Sequence, residues 1–348
     1  MSRVGALLEG ARAAAGWNHR PQLLVLCYHR VCDVENDPNR LSVSPERFAA
    51  HLECLRGRFT PLLLSESVAR LARGDLPPRA VALTFDDGYA DNVAVAYPLL
   101  QRHAVPATIF VATHWIDSAE EFYWDEVERI FLRPGTLPRH LTLDSPTGPR
   151  SWDLGHAAVY SAAEWRTDRD WNVQRHSAPT PRHRAFSEVM ALLSVLDGKR
   201  RGETLRRLRE WAGVAPTGRE THRPLRRGEI AALAGDGLTE VGAHSVSHVR
   251  LAALSAADQA AEVAGSKAAI EAIIGRPVTS FAYPFGGMAY DNGAVEAVRA
   301  AGYRVACTTT PALATRRNSP LKTPRFLVRD WEAGEFAQRV EQWWERRW

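Results

Sequence analysis

Long apolar runs are missing from this chain. No stretch of its 348 residues approaches the roughly 18 consecutive apolar positions that a membrane-spanning helix needs. Between Met1 and Gly16 there is one apolar pair, Leu7 and Leu8, where a secretory signal requires a longer apolar core. The expectation is a cytoplasmic protein. Cysteine is also scarce: Cys27, Cys32, Cys54 and Cys307 form no C-x-x-C pair and lack the Cys/His spacing of a structural zinc site, so they read as buried free thiols. One-sided charge is lacking too. The formal charge is only +4, and no basic patch is interleaved with aromatics, which argues against nucleic acid as a partner. The mild excess of arginine suits an anionic substrate such as a phosphate-linked sugar, against the plainer reading of solvated surface arginines.

What is present is enough for a sizeable core, with 45% hydrophobic and 24% charged residues. Short β-branched and apolar runs predict buried strands at Leu23 to Tyr28, Ala80 to Phe85, Ala107 to Val111, Glu240 to Ala243, Thr279 to Tyr283 and Tyr303 to Thr308. Helical stretches lie between them, at Phe48 to Leu55, Leu64 to Ala72 and Asp258 to Ile274, the last stopped by Gly275. Alternating strands and helices predict an α/β fold with a parallel sheet, and the chain length favours a barrel. The segment at about 114–227 breaks the pattern, being rich in Arg, His and Trp, and reads as a long insertion: a wall or lid beside the site, or a packing or oligomerisation element. We therefore expect an N-terminal extension over 1–22, a barrel over 23–330 carrying that insertion, and an amphipathic helix over 331–348. This helix places Phe336, Val340, Trp343, Trp344 and Trp348 on one face, for burial against the core or, with Arg346 and Arg347, for contact with a membrane surface. The sequence leaves oligomeric state open.

Three segments carry chemistry. In Thr84-Phe85-Asp86-Asp87-Gly88 an apolar strand ends in two carboxylates and a glycine. Adjacent residues at a strand end point in different directions, so one carboxylate can ligate a metal while the other acts as a base. In His244-Ser245-Val246-Ser247-His248 two imidazoles four residues apart, read as a helical turn, can grip one cation. Together with one aspartate they make a set with open positions, as catalytic metal sites require; zinc suits it first, and cobalt, nickel and iron fit as well. Phe281-Ala282-Tyr283-Pro284-Phe285-Gly286-Gly287 runs a strand into an aromatic loop, where Tyr283, Pro284 and Phe285 are candidates to line a sugar ring.

These segments resemble the polysaccharide deacetylase family, the NodB-homology group or carbohydrate esterase family four. The resemblance implies a distorted barrel, Asp86 as general base, and Asp87, His244 and His248 as ligands of one divalent metal. It also implies the backbone N–H of Tyr89 as the oxyanion donor. Two family features are missing: the arginine that orients the base is replaced by Ala282, and no histidine follows His248 to serve as the acid. The motif Tyr28-His29-Arg30-Val31 resembles the circularly permuted exopolysaccharide de-N-acetylases, in which the late histidine arrives at the N-terminus. This makes His29 the candidate acid, with Arg325 and Asp330 as supporting candidates. The implied function is metal-dependent removal of an N-acetyl group from an amino sugar, with Asp86 deprotonating water and His29, as imidazolium, protonating the amine. The rivals are hydrolysis of a non-sugar or cyclic amide on the same fold, and a metal-free carbohydrate-binding relative.

Overall fold

The structure is a computed structural model that describes residues 21–175 and 177–346, so most of the expected N-terminal extension and Trp348 lie outside the described residues. The main sheet is built from β1 (Gln22–Tyr28), β2 (Ala80–Phe85), β3 (Ala107–Val111), β4 (Thr239–Ala243), β5 (Ser280–Ala282) and β6 (Val305–Cys307). These six are parallel and adjacent in chain order. Their composition explains the arrangement: β2 reads AVALTF and is buried at every position, as a strand covered on both faces must be.

The free edge of β1 is shared by two short strands. β7 (Ala314–Thr315) pairs antiparallel with its start, and β8 (Phe326–Leu327) pairs parallel with its end at Leu26 and Cys27. Just before β8, Thr323 bridges Cys307 at the far edge of the sheet, with Thr323 N donating to Ala306 O at 2.8 Å. The segment from Thr323 to Leu327 therefore spans the gap between β6 and β1, and the sheet curls into a barrel-like form. Helices expected from the pattern form outside it, at Pro45–Arg58, Leu64–Arg73 and Ala256–Ile274, the last capped by Ser255 and ended by Gly275 at φ 68°.

The inserted segment has a core of its own. Trp115, Phe122, Trp124, Phe131, Phe186 and Leu208 belong to one apolar cluster that reaches back to Tyr89. Several of its arginines are internal. Arg182 is fully buried and donates to the carbonyls of Arg133, Gly135 and Ala158, while Arg219 forks onto Glu121 and reaches Glu128 at 2.7 Å. Much of the basic composition thus cements the insertion, since a buried guanidinium needs several acceptors at once.

The C-terminal helix, Ala333–Trp344, buries Phe336 and Val340. His51, on the helix Pro45–Arg58, stacks on Phe336 with centroids 3.8 Å apart, and Trp343 stacks on Phe326 at 4.5 Å. For the described part of the expected apolar face, packing against the barrel accounts for the pattern.

Candidate active site

The chemistry-bearing residues emerge where the parallel strands end, as in barrel enzymes generally. Asp86 follows β2 directly, and its N–H donates to Tyr28 O at 3.0 Å. Asp87 then adopts φ 73° and Gly88 φ 87°, two left-handed residues in succession. A side chain on Gly88 would meet Val111 Cγ1 at 3.1 Å and its Cα at 3.3 Å, so both the turn and the close approach require glycine. This turn sends the two neighbouring carboxylates to different partners.

Asp87 meets the two histidines. Its Oδ1 lies 3.6 Å from His244 Nε2 and 3.4 Å from His248 Nε2, and one atom from each residue fits within a 4.8 Å spread. The histidine segment is not the helical turn expected from sequence. It is an irregular loop in which Ser245 (φ 61°) and His248 (φ 50°) are both left-handed. Local hydrogen bonds hold that shape: Ser245 Oγ accepts from His248 N at 3.0 Å, and Glu262 takes the N–H groups of Val246 and Ser247 and the Ser247 hydroxyl. Left-handed non-glycine residues cost of order 1–2 kcal/mol each, and their clustering at Asp87, Ser245, His248 and Phe285 marks the loops where geometry is imposed from outside.

The donor set fits a divalent cation. His244 Nδ1 lies 2.8 Å from Ala282 O, which assigns the ring proton to Nδ1 and leaves the Nε2 lone pair on the Asp87 side. Burial lowers the pKa of both imidazoles, so both are neutral as ligands must be. Asp87 is buried and has no hydrogen-bond donor among the described residues. Burial and the charge of Asp86 push its pKa well up, which is the situation of a carboxylate that lacks a cation.

Asp86 is handled in the opposite way. Arg325, itself fully buried, donates Nη1 to Oδ1 and Nη2 to Oδ2, both at 2.7 Å. Its Nη1 also reaches Thr84 Oγ1 at 3.0 Å, and its Nε reaches Thr308 O at 2.9 Å. Burial alone would raise the Asp86 pKa, but Arg325 overrides it, with His244 adding to the effect, and holds the carboxyl far below the usual range. The orienting arginine missing at Ala282 is therefore supplied by the segment that closes the sheet.

The other candidates separate. His29, half-buried after β1, places a ring nitrogen within 4.8 Å of the Asp86 carboxylate, in a group that includes Cys27. Its pKa is lowered to about 3 by desolvation, opposed by Asp86 and reinforced by Arg329 and Arg325, so the resting ring is neutral. Tyr89 keeps its backbone N–H without a hydrogen bond among the described residues, while its hydroxyl donates to Asp125 at 2.6 Å and accepts from Trp124 Nε1. Phe285 stands beside His248 at 4.8 Å between centroids. Tyr283 does not line the site: it is 1% exposed, bonds Leu321 O and stacks on Tyr290, because an aromatic that continues β5 inward belongs to the core. Pro284 is likewise buried. Asp330 also lies apart, accepting from Ser44 N at 2.9 Å and pairing with Arg47, so it ties the C-terminal segment to a helix start.

Sequence reasoning offered the insertion as a wall or lid beside the site but named none of its residues that reach His248. Arg201 donates to His248 O at 3.1 Å from above the Tyr123 ring, and Trp124 packs on the His248 ring at 4.7 Å. No sequence signal marks Arg201, which lies in an arginine-rich helix, Gly198–Ala212, among solvent-facing arginines.

A curled parallel sheet carries at its strand ends a buried Asp–His–His cluster, whose donors would suit a divalent cation, and a second, arginine-held carboxylate. The chain belongs to the polysaccharide deacetylase family, whose model matches residues 73–175 and 202–306. It is 34% identical over 92 residues to the polysaccharide deacetylase YxkH of Bacillus subtilis, and 29% identical over 113 residues to the poly-beta-1,6-N-acetyl-D-glucosamine N-deacetylase of Escherichia coli. These stretches span 26% and 32% of this chain but only 32% and 16% of those relatives. The fold is shared with IcaB from Ammonifex degensii, at a TM-score of 0.55 and 18% identity over 92% of this chain and 96% of that one.

Proposed function

We propose that the protein removes the N-acetyl group from an amino sugar in a saccharide, using one divalent metal held by Asp87, His244 and His248. The observation that carries this reading is the division of labour between adjacent carboxylates: Asp87 is buried without a cation partner among the described residues, while Asp86 is kept ionised by a bidentate arginine. One residue is prepared to bind and its neighbour to accept a proton. When bound, the metal polarises the acetyl oxygen and acidifies water, zinc suiting the donors first and cobalt, nickel and iron also matching them.

The rest of the chemistry belongs to the chain. Asp86 takes a proton as water attacks the acetyl carbon. The Tyr89 N–H donates to the oxygen on which charge develops. The C–N bond then breaks as the departing nitrogen receives a proton from His29. Since His29 rests neutral, it collects that proton during turnover, and Asp86, within 4.8 Å and freshly protonated, is the group with one to give. The base and acid thus form a relay with no net change in protonation.

Acetate release from β-1,6- and β-1,4-linked N-acetylglucosamine oligomers, set against small cyclic amides, tests the reading. We expect activity on the oligomers to vanish with chelation and return with metal. Asp86→Asn should bind metal without turnover, and His244→Ala should lose both. Full activity in metal-free protein, or turnover of the cyclic amides alone, overturns it.

A further inference from the structure

A groove of about 580 Å³ opens beside the catalytic end of the barrel. Thr309 joins it to the site, donating its hydroxyl to Phe285 O at 3.1 Å, and Phe285 in turn packs on His248. On the other side β8 runs alongside β1, and Val328 N donates to Cys27 O at 2.9 Å, which brings Arg329 level with the residues around His29. The groove thus lies on the barrel rim one residue's contact away from the loop that carries Phe285.

Its lining is aromatic and cationic. Trp331 and Trp343 meet edge to face at 5.7 Å, and Arg339 covers Trp331 at 4.5 Å. The acids in the groove already have partners, Asp330 with Arg47 and Glu335 with Arg339. Arg40 and Arg329 have none: among the described residues neither makes an ion pair. Arg40 donates to the Gln174 side chain at 2.9 Å, and Arg329 donates to the Arg40 carbonyl. Both are half-buried. Burial disfavours the Arg329 charge and Arg40 disfavours it further, against a partial offset from Asp37 and Cys27. Asp37, the carboxylate that offsets the Arg329 charge, forms no ion pair with it among the described residues and accepts from the N–H groups of Leu41 and Ser42. Two half-buried arginines that form no ion pair among the described residues, next to an aromatic wall, match a ligand with both an oxyanion and sugar rings.

We propose that this groove is a substrate subsite for an anionic group, a phosphate or a uronate carboxylate, carried by the saccharide beyond the residue whose N-acetyl group is removed. The inference rests on the deacetylase reading for its place in catalysis, but the groove can be tested by binding alone. Three probes separate the cases: neutral tri-N-acetylchitotriose, the same trisaccharide bearing a phosphate ester, and a tetrasaccharide alternating glucuronate with N-acetylglucosamine. Each is titrated calorimetrically against the Asp86→Asn chain and assayed for acetate release with the wild type.

One of the two anionic probes should bind at least about tenfold more tightly than the neutral one, as charge-assisted bonds to two arginines imply. Whichever probe it is identifies the source of the anion. The preference should fall by a similar factor in Arg329→Gln and persist in Arg329→Lys, and in turnover it should appear chiefly in KM. Equal binding of all three probes, or an Arg329→Gln variant that weakens neutral and anionic probes alike, overturns the proposal. Selective binding without turnover of any probe leaves the subsite standing and removes the deacetylase reading.

Discussion

At the scale of single residues, Arg325 decides what Asp86 can do. Its two bonds keep a fully buried carboxylate ionised where desolvation alone would neutralise it. In Arg325→Gln the desolvation remains and the opposing charge is gone, so the pKa of Asp86 must rise. A base with a raised pKa loses its ionised form at higher pH as acid is added, and the acid limb of kcat/KM should move upward. Turnover at neutral pH should drop by about 100-fold or more, the scale of a misplaced general base, with metal content unchanged. A pH profile together with metal analysis checks both; an unmoved acid limb would mean that Arg325 serves packing alone.

Much of this was visible in the residues themselves. Asp86, Asp87, His244 and His248 stand out because their spacing at strand ends has few other uses in combination, and the structure brings all four together. Arg325 was found only as a weak candidate, since its partner is 239 positions away and nothing local announces the pairing. Tyr283 was misjudged for the opposite reason. Its motif is aromatic, but whether an aromatic faces substrate or core depends on the strand's register, which the motif does not contain.

At the scale of elements, the helix Gly198–Ala212 reaches the Asp87–His244–His248 cluster without adding a carboxylate or imidazole to it. Arg201 anchors the carbonyl of His248, a residue already in the strained left-handed region. Releasing that carbonyl in Arg201→Ala frees the loop to relax, and metal affinity should fall by about tenfold or more, as for other groups that orient a ligand. Competition with a chromophoric chelator measures it directly; affinity within twofold of the wild type would reduce Arg201 to a packing role. Element existence was legible in this chain because the buried strands are continuous apolar runs and the helices carry caps such as Ser255 and Gly275. The histidine loop was not legible: a four-residue spacing fits a helix equally well, and Glu262, which imposes the loop, comes from a later helix.

The contact between the helix Pro45–Arg58 and the C-terminal helix carries its own pH dependence. His51 is fully buried against Phe336, and burial lowers its pKa to about 4, despite the opposing bond to Trp331 O at 2.9 Å. Unfolded histidine titrates near 6.5, so between about pH 6.5 and 4 the unfolded chain binds a proton that the folded chain refuses. Stability must therefore decline as pH falls through that window. Thermal unfolding from pH 7 to 4.5 should show this decline, with a smaller slope in His51→Gln; equal slopes would remove His51 as a cause. Phe336→Ala at the same contact should cost about 3 kcal/mol or more in denaturant unfolding, as for other fully buried phenylalanines.

At the scale of the whole molecule, one end of the barrel gathers the site from distant parts of the sequence. Asp87, His244 and His248 follow β2 and β4, in the body of the chain, whereas His29 follows the first strand and Arg325 precedes the last. The general architecture was readable from alternating patterns along the sequence. The closure was not, because the gap is crossed by a segment of five residues, Thr323 to Leu327, with only two in regular strand.

That short closing segment also sets an order of events during synthesis. A chain elongating from its N-terminus has Asp86, Asp87 and both histidines long before Arg325 exists, and until then the buried Asp86 lacks the cation that keeps it charged. A nascent chain that stops short of Arg325 has the Asp87, His244 and His248 donors without the arginine that keeps Asp86 ionised. Asp86 thus reaches its final charge state after its three neighbours are in the chain, and its pairing with Arg325 reports that Thr323 to Leu327 has crossed the gap.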